Sequence, residues 1–129
     1  MLIDNISKYA CVVLVLFITV QGFSQSDSTF CETGIASYYA KKFNGRRCSS
    51  GDRFCNDSLT AAHKTLKFGT RVKVTNLKND SSVVVRINDR LPKYSKRKID
   101  LSRAAAKQLN FIANGLAKVK IEVIKDSLP

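Results

Sequence analysis

Residues 82–90 read SVVVRINDR, and this stretch decides the fold because a predicted buried strand runs directly into a pair of charged side chains. Residues 82–88 are mostly apolar and β-branched, which is typical of a strand covered on both faces. The preceding segment, TRVKVTNL at residues 70–77, alternates between apolar and polar side chains as a half-buried strand does. The string KND at residues 78–80 favours a turn between them. We therefore predict a hairpin with Asp89 at its end.

The rest of the chain continues this β pattern and adds one helical segment. Further predicted strands lie at residues 34–40, 59–63, 99–101 and 117–124. Residues 102–111 hold mostly strong helix formers, which either Ser102 or Asp100 could cap, and we expect Asp100 to be a cap rather than a catalyst. Residues 41–58 form a long polar loop of the kind that tends to carry function. About six short strands and one helix in roughly 100 residues predict a mainly β fold, a small closed six-stranded barrel, although periodicity does not say which barrel.

The N-terminal residues have the pattern of a targeting segment. Residues 10–20 (ACVVLVLFITV) form an apolar run that is much shorter than the about 20 residues a membrane-spanning helix needs. We therefore expect a secretory signal at residues 1–24, cleaved after Ser24, and a flexible lead-in at residues 25–32. A buried core helix is disfavoured because the run has no polar face. The chain of 129 residues has room for one domain, which we place at residues 33–125.

The strongly basic composition limits the partners that we expect. The formal net charge is +12, and a basic surface favours polyanions. Behind a secretory signal these are the anions of the cell envelope, such as muramyl carboxylates, stem peptides and lipid head groups. Lysines that simply keep a small domain soluble are an equally good explanation. We expect no nucleic-acid partner, because no RNA- or DNA-binding motif accompanies the charge.

The cysteines indicate a possible disulfide and argue against a metal site. After removal of the signal, Cys31, Cys48 and Cys55 remain, and an exported domain can carry a disulfide. Cys48 and Cys55 flank a short polar loop and are the natural pair, although a bond from Cys31 to either of them is an alternative. If they pair, Cys31 is a free thiol or an intermolecular link. With one histidine and no repeated cysteine spacing, we expect no zinc site, no other metal and no cofactor.

Several strings in this sequence are shared with one known family. They are GIASYY (34–39), LTAAHKTLKFGT (59–70), VKVTNL (72–77) and VVVRINDR (83–90) followed by IDLS (99–102). The strings AAHKTLKFGT and VRINDR are highly specific, and on these residues the chain resembles the RlpA-like (rare lipoprotein A) family. The resemblance implies a double-psi β-barrel and a role in bacterial peptidoglycan. Members of that family resemble lytic transglycosylases that act on glycan strands lacking stem peptides.

The resemblance also implies which residues form the site. The acid of the family's N-D-R motif falls on Asp89, its histidine on His63, and its second acid, usually glutamate, on Asp52. Aspartate is one methylene shorter than glutamate, and a misplacement of about 1 Å can cost much rate. Two further departures are Tyr38 in place of the usual tryptophan and Leu91 in place of the glycine that usually follows N-D-R.

Cleavage of a glycan requires a proton at the glycosidic oxygen, and a carboxylic acid with a raised pKa supplies it. The C6 hydroxyl of the muramic acid can then attack internally and leave an anhydro end, so that one carboxyl suffices. We assign this role to Asp89, since partial burial would raise its pKa, while Arg86 and Arg90 would lower it. A structural turn held by an Asp89–Arg90 pair is the alternative.

Other side chains have expected roles around this acid. His63 would orient Asp89 or bind the sugar, although a lone histidine is more often structural. Tyr38, Tyr39 and Phe43 could stack on sugar rings, with core packing as the alternative for Tyr39. The expected catalytic residues are thus Asp89, His63 and Asp52, and the expected substrate-binding residues are Tyr38, Tyr39, Arg86, Asn88 and Arg90.

Two functions follow from these residues. The first is an endolytic peptidoglycan lytic transglycosylase that cleaves the MurNAc–GlcNAc bond and leaves an anhydro-muramyl product. The second, favoured by the shorter acid at Asp52, is a non-catalytic, expansin-like protein that binds or loosens the wall. In both cases we expect a monomer that acts on glycan strands in the periplasm, the bacterial envelope or outside the cell, with no stable membrane insertion after signal cleavage.

Overall fold

A computed structural model describes residues 30–125 of the protein. The expected signal at residues 1–24 and the start of the expected lead-in lie outside the described residues. Six strands, one short helix and a single 3-10 turn at Lys41–Phe43 make up the described fold. The elements are β1 Cys31–Tyr38, β2 Thr60–His63, β3 Arg71–Asn76, β4 Ser82–Arg90, β5 Ile99–Leu101, α1 Arg103–Gln108 and β6 Ala117–Val123.

The strands close into a six-stranded barrel in the order β1-β5-β2-β4-β3-β6. Two neighbouring pairs are parallel, β1 with β5 and β2 with β4, and the other pairs are antiparallel. The predicted hairpin is β3 with β4, joined in register from Arg71 opposite Arg86 to Thr75 opposite Ser82. The prediction of a small closed barrel with one helix is therefore confirmed. Among residues 30–125, no helix is long and apolar enough to cross a membrane.

Alternating side chains fill the interior of the barrel. In β3, Val72 and Val74 are fully buried, while Arg71 and Lys73 between them are exposed, as the period of two in a strand requires. Helix α1 and the turn after it close one side of the core. The largest buried side chains are Phe111, Ile87, Ile99, Leu101, Leu109 and Ile121. This continuous apolar core holds the strands that carry the site in fixed register.

Three element boundaries differ from the sequence predictions. Strand β1 begins at Cys31, inside the expected lead-in, because Cys31 pairs with Glu122 and Glu32 with Ile121 of β6. Strand β4 continues past Asn88 through Asp89 and Arg90, because those residues pair with β2. Helix α1 is shorter than the predicted segment. For the two strands the partner is remote in sequence, so the local pattern does not contain the information.

The helix cap corrects another expectation. Ser102 caps α1, since its hydroxyl accepts a hydrogen bond from the backbone N–H of Ala105 at 3.3 Å. Asp100 lies two residues earlier within strand β5 and is no cap. The register places Asp100 opposite both Ser37 of β1 and Ala62 of β2. Asp100 is thus a sheet residue whose side chain faces away from its buried neighbours Ile99 and Leu101.

A β-bulge in β4 directs the Asp89 side chain to the same face of the sheet as Asp100 and Ala62. Ala61 pairs with Ile87, but Ala62 pairs with Asp89, so that Asn88 is an extra residue in β4. Without the bulge, strict alternation would point Asp89 to the same side as the core residue Ile87. With it, the row across β1, β5, β2 and β4 reads Ser37, Asp100, Ala62, Asp89.

Candidate active site

A cleft of about 800 Å³ lies over this row of side chains. Asp89, Ala62 and Asp100 form part of its lining, and the long loop between β1 and β2 provides an aromatic wall with Tyr39 and Phe43. The lining also includes four basic residues, namely Arg46, Arg47, Arg90 and Arg97. The cleft is open on one side and combines carboxylates, aromatic rings and guanidinium groups, a lining suited to a carbohydrate chain that carries negative charge.

Both oxygens of Asp89 accept hydrogen bonds from the protein. Oδ1 accepts from the backbone N–H groups of Ser49 and Arg90 at 2.8 and 2.9 Å. Oδ2 accepts from the hydroxyl of Tyr39 at 2.5 Å. Burial by itself raises the pKa of Asp89, but these donors outweigh burial and lower it below its ordinary value. The sequence left open whether burial or the neighbouring arginines would prevail at Asp89. The pKa is instead lowered by hydrogen bonds from Tyr39, Ser49 and Arg90, which the sequence did not reveal.

Asp100 is the second carboxyl of the cleft, and its environment is the opposite. Its Oδ1 accepts a hydrogen bond from the Ser37 hydroxyl at 2.9 Å, and Arg97 donates to that same hydroxyl oxygen at 2.7 Å. Burial raises the pKa of Asp100, and the Ser37 hydrogen bond and the Arg97 charge do not offset it. Two acids in one cleft therefore have pKa values displaced in opposite directions, which is typical of acid and base pairs in enzymes.

The aromatic residues divide between the cleft and the core. Tyr39 stacks on Phe54 with ring centroids 4.2 Å apart and contacts the edge of Phe43 at 6.1 Å. Burial first, and the Asp89 carboxylate second, raise the pKa of Tyr39 so far that its hydroxyl remains a donor. Tyr38 reaches the cleft lining, but its hydroxyl donates to the backbone carbonyl of Ile112 at 2.7 Å. The two tyrosines thus form no common stacking face.

The structure does not bring His63 to the Asp89 carboxylate. His63 neighbours Ala62 on β2, so its ring is directed to the opposite face of the sheet. Its Nδ1 accepts from the backbone N–H groups of Thr65 and Leu66 at 3.1 and 3.2 Å, which leaves the proton on Nε2 to be donated to Glu32 at 2.9 Å. The ring is 3% exposed and joins β1 to the turn that follows β2.

Asp52 also lies apart from the two carboxyls of the cleft. Its carboxylate contacts the guanidinium of Arg86 at 3.3 Å, and both side chains are nearly half exposed, at 44% and 48%. Such an exposed pair contributes little stability. Neither residue belongs to the lining of the cleft. The structure therefore groups Asp52 with Arg86 at the outer edge of the loop, and not with Asp89.

Arg90 and Asn88 have structural positions beside the acid. The Arg90 guanidinium donates to the carbonyl of Leu66 at 2.8 Å and lies 4.1 Å from the ring centre of Phe68. It therefore forms no Asp89–Arg90 ion pair, and only its backbone N–H contacts the carboxylate. Asn88, the bulge residue, is buried and its carbonyl accepts from the N–H of Ser50. These contacts fasten the bulge and the loop to each other.

The Cys48–Cys55 disulfide is not formed in this structure, where the described cysteines Cys31, Cys48 and Cys55 are free thiols. Cys48 is 6% exposed and lies in the cleft lining, whereas Cys55 is exposed and is not part of that lining. Burial, reinforced by the nearby negative charges, raises the pKa of the Cys48 thiol to about 11. Across residues 30–125, no group of three or more His, Cys, Asp or Glu side chains is arranged to hold a metal ion.

The sequence analysis missed Asp100, Ser37 and Ser49 as parts of the site. A signal for Asp100 was present, because an acid between the apolar Ile99 and Leu101 of a short strand must face away from the core. Its place in the cleft depends on the pairing of β5 with β2, and of β2 with β4, which the sequence does not show.

Comparison with known proteins places the chain in a family. Residues 31–121 match a double-psi β-barrel family described as "Lytic transglycolase". A probable endolytic peptidoglycan transglycosylase RlpA of Synechocystis sp. is 53% identical over 92 residues, covering 71% of this chain and 29% of that protein. The endolytic peptidoglycan transglycosylase RlpA of Neisseria meningitidis is 52% identical over 95 residues, covering 74% and 40%. The chain thus spans well under half the length of these curated relatives.

A solved structure shows the same fold at lower sequence identity. An expansin of Clavibacter michiganensis superposes with a TM-score of 0.61 at 18% identity, covering 78% of this chain and 53% of that one. At this identity the likeness concerns the fold alone.

Proposed function

The chain belongs to the lytic transglycolase family of double-psi β-barrels, and on that premise we propose that it is an endolytic peptidoglycan transglycosylase. In this proposal it cleaves the bond between N-acetylmuramic acid and N-acetylglucosamine and leaves a 1,6-anhydro-muramyl end. The observation that carries the proposal is the pair of carboxyls, Asp89 and Asp100, in one row of a single open cleft. Their pKa values are displaced in opposite directions, which is typical of acid and base pairs in enzymes.

The rest of the cleft supports a sugar chain as the substrate. Aromatic rings suit the apolar faces of pyranose rings, and Tyr39 and Phe43 supply them. The guanidinium of Arg46 lies 4.9 Å from the centre of the Phe43 ring. The cleft therefore holds a positive charge beside an aromatic ring. Peptidoglycan strands carry carboxylates, and a protein of net charge +12 attracts them from a distance.

We also propose that the protein acts outside the cytoplasm, in the bacterial envelope. Support comes from the apolar run at residues 10–20, which fits a secretory signal, and from the location of peptidoglycan itself. A fusion of residues 1–30 to a periplasmic reporter enzyme tests this point. Reporter activity that requires residues 10–20 is expected, and activity confined to the cytoplasm would contradict it.

The test of the enzyme reading is product analysis. The purified protein is incubated with glycan strands from which an amidase has removed the stem peptides, and the products are identified by mass spectrometry. We expect 1,6-anhydro-muramyl ends, and we expect their loss in Asp89→Asn. The control is Asp57→Asn, which makes the same chemical change at an exposed loop position. Product formation that survives Asp89→Asn would remove Asp89 from the mechanism.

A second function, non-catalytic binding of wall glycan, is favoured by one observation. The protein donors keep Asp89 ionised, and an ionised carboxylate can accept a hydrogen bond from a sugar hydroxyl without transferring a proton. Sedimentation with purified sacculi, together with no anhydro product on any strand, would support binding and end the enzyme proposal.

A further inference from the structure

We propose that Asp100 delivers the proton to the glycosidic oxygen and that Asp89 acts as the anion that receives the proton of the attacking hydroxyl. This assignment rests on the proposed function and deepens it, because the carboxyl marked by the N-D-R string becomes the base. The acid is then a residue that the sequence indicated as a helix cap.

The hydrogen bonds of Asp89 favour its ionised form. Two of its partners are backbone N–H groups, which donate and do not accept. The third is the hydroxyl of Tyr39, which stacks on Phe54 and is thereby held in place. All three partners therefore stabilise the ionised carboxylate. Asp89 enters the reaction as an anion and is suited to accept a proton.

Asp100 also accepts a hydrogen bond, but only at one of its two oxygens. The Arg97 guanidinium cannot accept a hydrogen bond, so the oxygen of Ser37 is the acceptor between them and the single hydroxyl hydrogen points to Oδ1 of Asp100. Among the residues that the structure describes, no group donates to Oδ2 of Asp100. This oxygen can carry the acidic hydrogen and present it to the cleft, as a proton donor must.

The charged groups around Asp100 are few. Arg97 lies behind Ser37 on the loop before β5, and the Asp89 carboxylate lies across β2. Arg97 favours the ionised form of Asp100, whereas Asp89 and burial favour the protonated form and prevail. A fixed anion at Asp89 therefore helps to keep the proton on its partner.

One small residue separates the two acids in the row of side chains. Asp89 and Asp100 both pair with Ala62, one on each side, so two strand spacings, about 10 Å, separate their Cα atoms. The side chain between them is only a methyl group. The C6 hydroxyl and the leaving oxygen lie on the same face of the muramic acid ring, so both carboxyls have to reach that face, and the small residue between them does not obstruct it.

The step balances without any further reactant. Asp100 transfers its proton to O4 of the leaving N-acetylglucosamine as the bond from C1 of the muramic acid to that oxygen breaks. The C6 hydroxyl oxygen of the same muramic acid forms the new bond to C1, and its proton passes to Asp89. Return of a proton from Asp89 to Asp100 through solvent restores the starting state. Neither an oxidant nor a hydrolytic water is consumed.

The decisive experiment compares a natural and an activated substrate. Loss of a general acid typically costs 10²–10⁴-fold in rate, so Asp100→Asn should lose about that much on glycan strands. On a 2,4-dinitrophenyl β-glycoside of N-acetylmuramic acid, whose leaving group needs no proton, the same variant should retain activity within about tenfold of the unsubstituted protein. Asp89→Asn should lose activity on both substrates, and Asp57→Asn on neither.

A pH profile gives a second, independent measurement. Activity on strands should fall at high pH as Asp100 ionises, and this alkaline limb should vanish when Asp100→Asn acts on the dinitrophenyl substrate. Ser37→Ala removes a hydrogen bond that lowers the pKa of Asp100, so its alkaline limb should move to higher pH. A residue with only a structural role would not move this limb. Ser37→Ala also keeps the assignment testable if Asp100→Asn does not fold.

The outcomes separate this assignment from the proposed function. Anhydro products from the unsubstituted protein together with full activity of Asp100→Asn on strands would overturn the assignment alone. Equal losses of Asp100→Asn on both substrates, or an alkaline limb unmoved by Ser37→Ala, would overturn it as well. No anhydro product from the unsubstituted protein on any strand would instead overturn the proposed function.

Discussion

Removal of one hydroxyl, in Tyr39→Phe, tests the electrostatics of the cleft directly. The Tyr39 hydroxyl donates to Oδ2 of Asp89 at 2.5 Å and is one of three donors to that carboxylate. A hydrogen bond to a charged group contributes about 1.5–3 kcal/mol, and partial exposure of Asp89 argues for the lower end of this range. Since 1.4 kcal/mol is a factor of about ten, the acid dissociation constant of Asp89 should fall by at least about tenfold.

The sign of the effect on stability follows from linkage. The pKa of Asp89 is lowered in the folded protein, so its contribution to stability is full above the unfolded pKa and is lost as pH falls through the folded pKa. Tyr39→Phe reduces that contribution. The variant should therefore be less stable than the unsubstituted protein by about 1.5 kcal/mol at pH 7, and the difference should shrink toward acid pH.

Urea unfolding between about pH 2 and pH 8 measures this difference, and NMR titration of the Asp89 carboxyl carbon measures the dissociation constant. The matched control is Tyr38→Phe, which also removes one tyrosine hydroxyl, but one that donates to a neutral carbonyl at 2.7 Å. Its cost should be about 0.5–1.5 kcal/mol and independent of pH. The reasoning is refuted if the two variants show the same pH dependence, or if the Asp89 titration does not move in Tyr39→Phe.

Three further predictions concern the floor of the cleft, the buried histidine and the thiols. Ala62→Leu should lower kcat/KM on glycan strands about 10²-fold by filling the space between the two carboxyls. The same substitution at Ala104 on α1 is the control and should leave kcat/KM unchanged. Equal kcat/KM values for the two variants would contradict the placement of Ala62 between the carboxyls. His63→Ala should lower the free energy of unfolding by about 2–4 kcal/mol in urea, because two backbone N–H groups lose their acceptor; a change below about 0.5 kcal/mol would contradict this account. In reaction with a thiol reagent at pH 8, Cys48, with its pKa near 11, should react about a hundredfold more slowly than the exposed Cys55. Cys48→Ala should abolish the slow phase, and a fast phase that appears only after reduction would indicate a disulfide.

The strands and the hairpin could be predicted from local sequence because the alternation of apolar and polar side chains shows which face of each strand is buried. Val72 and Val74 alternate with Arg71 and Lys73, and that alternation is sufficient to assign one face to the core. The closed barrel with one helix was predicted for the same reason. The boundaries of β1 and β4 were less predictable, because Cys31 and Asp89 extend their strands only through partners remote in sequence.

The candidate site was predicted only in part. The string match identified Asp89, and the structure places it in the cleft. The structure does not bring His63 or Asp52 to it, since the first is on the opposite face of its strand and the second contacts Arg86. Asp100 was passed over, because capping is a local property and its true neighbours are not local.

By itself, the sequence SVVVRINDR determined that a buried strand ends in an acid, because burial follows from the apolar side chains that the strand carries. Only the tertiary structure decided where that acid points and whether it is ionised. The bulge at Asn88 turns Asp89 toward the cleft, and Tyr39 and Ser49 of the loop between β1 and β2 donate hydrogen bonds that keep it ionised. Strand pairing then places Asp100 two strands away. A pKa is set by the atoms that surround a group in space, and those atoms come from distant parts of the chain.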